Sequence, residues 1–144
     1  MEDLSLHILD IVENSIRANA KNVEIKLTEY KKENLLILEI NDDGQGMDDQ
    51  TRKQAMSPFF TTKERKKTGL GLSFLAQSAE ESGGKLKIDS GVGKGTKVTA
   101  TFGLNHIDRK PLGKLDETMK CLRVTHPEIN LFFNYAKANN RGGR

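Results

Sequence analysis

The sequence predicts an α/β fold: a two-layer α/β sandwich with helices on one face of a mixed β-sheet. Three observations point there. Apolar residues recur at helical spacing in residues 4–18 and again after residue 71. Two pairs of segments with strand patterns, each pair joined by a polar or glycine-rich turn, have the form of hairpins. The elements then run α-β-β-(α)-α-β-β, an order that lays helices against a sheet.

Each element has its own signal. "LSLHILDIVENSIRA" sets Leu9, Val12 and Ile16 on one stripe, with Ile8 and Ile11 beside it, and Asn19 follows at the helix end, where asparagine tolerates the left-handed conformation. "NVEIKLTEY" alternates Val23, Ile25 and Leu27 with Glu24, Lys26 and Thr28, as a half-buried strand does. The polar turn Lys31–Asn34 leads into Leu35–Ile40, a continuous apolar strand and its expected hairpin partner. "QTRKQAM" is long enough for one short helix. "SPFFTTKERKKTGLGL" is a loop, and Leu72, Leu75, Ala76 and Ala79 mark a helix ending at Gly83-Gly84. "KLKIDS" and "TKVTATF" alternate around the turn Gly91–Gly95 as a second hairpin. After Gly103 the pattern thins: "KLDETMKCLRV" suits a helix, "EINLFFNY" a strand, and "AKANNRGGR" a disordered end. A strand so late leaves open whether it finds a pairing partner, and with it whether the native chain is longer.

Length and composition bound the answer. A chain of 144 residues suits one compact domain. A single cysteine, Cys121, excludes an internal disulfide framework, and no apolar run reaches the length of a membrane span, so a cytoplasmic protein without a membrane partner is expected. Residues 1–103 carry 15 Lys and Arg against 16 Asp and Glu, while residues 104–144 carry 8 against 4. The net charge of +3 therefore belongs to the tail. The division expected is 1–103 as the folded domain and 104–144 as a basic, partly disordered extension. With few aromatics among its cations, that extension is a solvated segment rather than a nucleic-acid interface.

"NDDGQGM", residues 41–47, is chemically unusual for the end of a strand. An EF-hand loop is excluded. With Gly46 at its sixth position, Arg52 would close the loop; with Gly44 there, Gln50 would, and neither is the bidentate glutamate required. Other segments share its chemistry. Asp10 and Asn14, four residues apart, lie on one helix face opposite the apolar stripe, where they can hold a hydrated Mg²⁺ and orient a water. "GLGL", residues 69–72, places Gly69 and Gly71 where a loop enters a helix, a setting that attracts phosphate. The stretch before it adds Lys63, Arg65, Lys66 and Lys67. A P-loop is excluded, because neither "GLGLS" nor "GKGTK" has the Gly-Lys-Ser/Thr end.

In order, these pieces resemble the ATPase domain of the GHKL superfamily of gyrases, heat-shock chaperones, histidine kinases and mismatch-repair proteins. "DIVENSIRANAKNVEI" is similar to its N box, "DDGQG" to its first glycine box, "PFFTTK" to the F box of histidine kinases, and "TGLGLSFLAQSAEESGGKLKIDSGVGKGT" to the second glycine box and closing hairpin. The resemblance covers residues 4–103 and implies a Bergerat-type ATP-binding fold. It implies that Asp42 accepts a hydrogen bond from the adenine amino group, with Gly44 and Gly46 letting backbone lie against the base and Thr96 beside the carboxylate. It gives Mg²⁺ to Asn14 and the phosphates to Thr68, Gly69, Leu70, Gly71 and Leu72, with Lys63 from a lid over Thr61–Thr68. Asp10 stands at the position of the catalytic base, which is glutamate in hydrolysing branches and one methylene longer. Lys67 replaces a glycine usual in the kinase box. Phe59 and Phe60 are expected to pack rather than bind, and His7 to be a surface or packing residue rather than part of the site.

The expected function is Mg-ATP binding by a histidine-kinase-like domain that serves as a kinase catalytic unit in trans. The alternative is an ATP-responsive regulatory module. No phosphoacceptor hairpin is expected ahead of the N box, and His106 lacks the acidic neighbour of an acceptor box. The tail "HIDRKPLG" resembles that of small free-standing ATP-binding proteins of anaerobic bacteria, which implies an unidentified protein partner such as a redox-enzyme subunit of hydrogenase type.

Overall fold

The computed structural model describes residues 4–56, 70–104 and 115–138. The elements are α1 (Leu4–Arg17), β1 (Asn22–Tyr30), β2 (Leu35–Asp42), α2 (Asp49–Met56), α3 (Leu70–Glu81), β3 (Leu86–Ser90), β4 (Thr96–Gly103), α4 (Leu115–Thr125) and β5 (Asn130–Ala138). The strands form one mixed sheet in the order β3-β4-β2-β1-β5, antiparallel except for the parallel pair β1–β5.

Alternation along β1 buries Val23, Ile25 and Leu27 on the face that also carries Leu36, Leu38 and Ile40 of β2 and Val98, Ala100 and Phe102 of β4. Helices α1, α3 and α4 pack there through Ile8, Ile11, Val12, Leu75, Ala79, Met119 and Leu122, closing one hydrophobic core. The helical stripe on α1 is rotated from its expected centre. Ile8, Ile11, Val12 and Ser15 are buried, whereas Leu9 and Ile16 are only partly so. His7 is buried between α1 and α3, its Nε2 3.5 Å from the Ser78 hydroxyl, so it packs rather than lying on the surface.

Helix ends follow their sequence signals. Asn19 adopts φ 65°, Ala20 N–H bonds the Ser15 carbonyl and Asn19 N–H that of Ile16, a Schellman ending. Gly83, at φ 90°, ends α3 in the same way, with Gly84 N–H on the Ala79 carbonyl. The Asp48 carboxylate accepts the Thr51 N–H at 2.8 Å and caps α2.

The late strand does have a partner. β5 pairs with β1 from Asn22↔Asn130 to Tyr30↔Ala138, so the sheet crosses the expected boundary at residue 103, and Ala136–Ala138 of the expected disordered end lie in a strand. Sequence pattern missed this because a parallel pair is joined through most of the chain and leaves no local signal.

Candidate functional site

Asp42 is the last residue of β2 and stands opposite Thr96, the first of β4. Directly opposed residues share a face of the sheet, so both side chains turn toward the helices. From α1, Ser15 approaches the same point: its hydroxyl donates to Asp42 Oδ2 at 2.6 Å, while Gly44 N–H donates to Oδ1 at 2.9 Å. Thr96 Oγ1 lies 2.8 Å from Ser90 Oγ. Ser90 donates to the Gly95 carbonyl, so its oxygen accepts from both Thr96 and the Met47 N–H.

The loop after Asp42 is held from two sides. Gln45 N–H bonds the Ala18 carbonyl at the end of α1, and Gly93 N–H in the β3–β4 turn bonds the Gln45 carbonyl. Asp43 points away and fastens the α1–β1 turn: its Oδ1 accepts the backbone N–H groups of Asn22 and Lys21, its Oδ2 the Asn22 amide. These bonds, those from Asn22 first, lower its pKa to about 2. The Thr51 N–H likewise lowers that of Asp48.

Between α1, this loop and the sheet lies a cleft of about 270 Å³. Ile11, Ile40, Met47, Leu72 and Val98 make its walls apolar; Asn14, Ser15, Arg17, Asp42, Thr51 and Thr96 supply polar groups. An apolar slot with a few convergent polar groups is the usual form of a small-molecule site, and this volume is just under the common range of roughly 300–1,000 Å³. Its lining combines apolar side chains with an acceptor-only carboxylate, an amide and a guanidinium.

Of the residues singled out in the sequence, Asn14, Asp42, Gly46, Leu72 and Thr96 converge on this cleft. Leu70 and Gly71 open α3, two residues or fewer from Leu72. Lys63, Thr68 and Gly69, the stretch Thr61–Thr68, Phe59, Phe60 and His106 lie outside the described residues. Asp10 is exposed on α1, one turn before Asn14, and is not among the lining residues. Gly44 lies against the end of α1. It is buried, and a Cβ on it would lie 2.8 Å from the Ala18 carbonyl oxygen.

Three polar residues of the cleft, Ser15, Arg17 and Thr51, were not anticipated. Ser15 is the polar residue that continues the stripe Ile8–Ile11–Val12, a signal visible only once that stripe is centred correctly. Arg17 donates from Nη1 to Asn14 Oδ1 at 2.7 Å, a cation one turn beyond a proposed metal ligand. Among the described residues no three His, Cys, Asp or Glu converge, and no helix is long and apolar enough to cross a membrane.

Comparison with known proteins agrees with this geometry. Residues 2–106 match the model of the family described as histidine kinase-, DNA gyrase B-, and HSP90-like ATPase. The chain is 37% identical over 110 residues to the sensor protein kinase FleS of Pseudomonas aeruginosa, covering 76% of this chain and 27% of that protein. It is 36% identical over 88 residues to sporulation kinase C of Bacillus subtilis, covering 61% and 20%. With the sensor histidine kinase ZraS of Escherichia coli K12 the identity is 28% over 106 residues, covering 74% and 23%. The chain thus spans about a quarter or less of the length of these relatives.

Proposed function

The chain belongs to the histidine kinase-, DNA gyrase B-, and HSP90-like ATPase family as a histidine-kinase-like ATP-binding domain, and on that footing we propose that it binds Mg-ATP in the cleft beneath Asp42 and passes the γ-phosphate to a partner protein in trans. One observation carries the reading: the Asp42 carboxylate, held by two donors, faces the same apolar cleft as Asn14 and Thr96. Adenine offers an amino donor to that carboxylate and its two faces to Ile11, Ile40 and Val98. Thr96, whose own proton goes to Ser90, keeps lone pairs for a donor or a bridging water.

Mg²⁺ prefers to keep several waters and to be bound through one or two protein oxygens plus phosphates, which suits a site with Asn14 rather than a cage of carboxylates. When bound, the ion neutralises charge on the triphosphate. Arg17 holds that same Asn14 oxygen, Oδ1, at 2.7 Å, so the guanidinium would have to release it to a metal and turn toward the phosphates. Leu72, the third residue of α3, brings the start of that helix to the cleft, and the N–H groups of a helix start, which have no partner within the helix, favour phosphate. The transfer step needs an acceptor; a redox-enzyme subunit of hydrogenase type is the partner that the resemblance of the tail implies.

The exposure of Asp10 outside the cleft lining favours a second reading, an ATP-responsive module with little catalysis. Incubation with γ-labelled ATP and proteins that co-purify with the chain separates the two. Label on a partner supports the kinase. ATP binding that alters partner affinity without label supports the module. Calorimetry showing no ATP binding defeats both.

A further inference from the structure

Ser15 lies on the buried side of α1, 3% exposed, where the stripe of Ile8, Ile11 and Val12 would otherwise continue with an aliphatic side chain. A buried hydroxyl is costly unless paired. It has two acceptors within reach, the Ile11 carbonyl at 3.3 Å and Asp42 Oδ2 at 2.6 Å. It has only one proton, and the shorter, charge-assisted bond takes it. Gly44 N–H holds the other carboxylate oxygen at 2.9 Å. The plane of the carboxylate is therefore fixed by one donor on each oxygen. Both donors are on the protein side, one from the helix above and one from the loop beyond, and lone pairs remain for the cleft.

That arrangement does more than strengthen one contact. A carboxylate with one anchor can swing away from a repelling group or admit a water between them. A carboxylate anchored at both oxygens can do neither, so an acceptor placed against it meets full repulsion. Fixing the carboxylate thus raises affinity for a donor and penalises an acceptor at the same position, and the second effect is the basis of discrimination.

We propose that Ser15 is a positioning residue that sets purine selectivity, holding Asp42 so that the cleft accepts a 6-amino purine and rejects a 6-oxo purine. The proposal rests on reading Asp42 as the partner of the adenine amino group, and its test keeps the two apart. Inosine triphosphate is the probe, because it presents a carbonyl where ATP presents the amino group.

Dissociation constants for ATP and inosine triphosphate are measured by calorimetry on the full chain. The variants are Ser15→Ala, Ser15→Thr and Asp42→Asn, with circular dichroism confirming the fold of each. Ser15→Ala is expected to weaken ATP by about tenfold, the scale of one charge-assisted hydrogen bond, while inosine triphosphate is unchanged or tighter, so the preference narrows. Ser15→Thr, which keeps the hydroxyl, is expected to restore the wild-type preference. Equal losses for both nucleotides in Ser15→Ala would mean that the side chain only packs, and an unchanged preference would likewise overturn the proposal. If Asp42→Asn abolishes the preference and Ser15→Ala does not, the role of Ser15 alone fails. If wild type shows no preference and Asp42→Asn changes nothing, the adenine reading itself fails. Should Ser15→Ala not fold, Ser15→Cys, close in size and a weak donor, carries the same comparison: a narrowed preference supports the proposal and a wild-type preference overturns it.

Discussion

Gly46 and Gly91 meet backbone to backbone. Gly46 has φ 75°, and a Cβ placed on it would fall well inside van der Waals contact with the Gly91 carbonyl oxygen. Gly95 stands in the same relation to the Asp42 carbonyl, at φ 77°. The loop that follows Asp42 and the β3–β4 turn are thereby interlocked with no side chain between them.

Gly46→Ala is accordingly expected to cost on the order of 3 kcal/mol, from left-handed strain together with a clash that only backbone movement relieves. Gly93→Ala is the control. It has φ 78° but open space around the added Cβ, so about 1 kcal/mol is expected from strain alone. Chemical denaturation gives both values. Equal costs for the two variants would show that close approach is unimportant and that the interlock holds nothing.

Residues 1–103 alone are expected not to hold the native fold, although the family match ends close to that point. Leu115, Met119, Leu122, Ile129 and Leu131 are each at most 9% exposed, and β5 covers the edge of β1 along its whole length. At roughly 1.5–3 kcal/mol per buried aliphatic side chain, their removal forfeits about 10 kcal/mol, comparable with the net stability of a typical domain. A cooperative melt of the 1–103 fragment near that of the full chain would refute this.

Those two predictions mark where sequence reading worked and where it stopped. The hairpins, both capped helix ends and the convergence of Asn14, Asp42 and Thr96 were legible because each depends on a local pattern or a motif of fixed spacing. The pairing of β5 with β1 was not, since paired residues such as Asn22 and Asn130 lie 108 positions apart and the register follows from burial of Leu131 rather than from a turn. Ser15 escaped for a related reason: centring the α1 stripe on Leu9, Val12 and Ile16 turned the hydroxyl away from the cleft.

Asp43 supplies a prediction in pH. Its carboxylate, held by Asn22 and Lys21, has a pKa lowered from 3.8 to about 2 in the folded chain. A group depressed on folding contributes stability above its unfolded pKa and loses it as pH falls through the folded value. The contribution is therefore complete above about pH 4 and fades toward pH 2. Asp43→Asn removes it at every pH. The gap in Tm between wild type and Asp43→Asn is expected to be open at pH 7 and to close as pH approaches 2, other carboxylates titrating in both proteins alike. A gap that stays constant across that range would mean that the Asn22 and Lys21 bonds do not favour the charged form.

Intrinsic ATP hydrolysis is expected to be slow. Asp10 is the carboxylate nearest in sequence to Asn14 on the helix face assigned to the attacking water, yet it is exposed and does not line the cleft. Its side chain is one methylene shorter than glutamate, so reach is the expected defect. On that view Asp10→Glu raises phosphate release, and because general-base assistance is worth roughly 10²–10⁴-fold, even partial restoration stands clear of a slow background. Asp10→Asn is expected to leave ATP affinity within about twofold, as an exposed side chain outside the cleft contributes little to binding. Phosphate release by wild type and both variants, with calorimetric affinities alongside, decides between the causes. Rapid wild-type turnover would show that Asp10 already reaches the water. A slow Asp10→Glu variant with normal ATP binding would shift the defect from reach to the acceptor or to phosphate positioning.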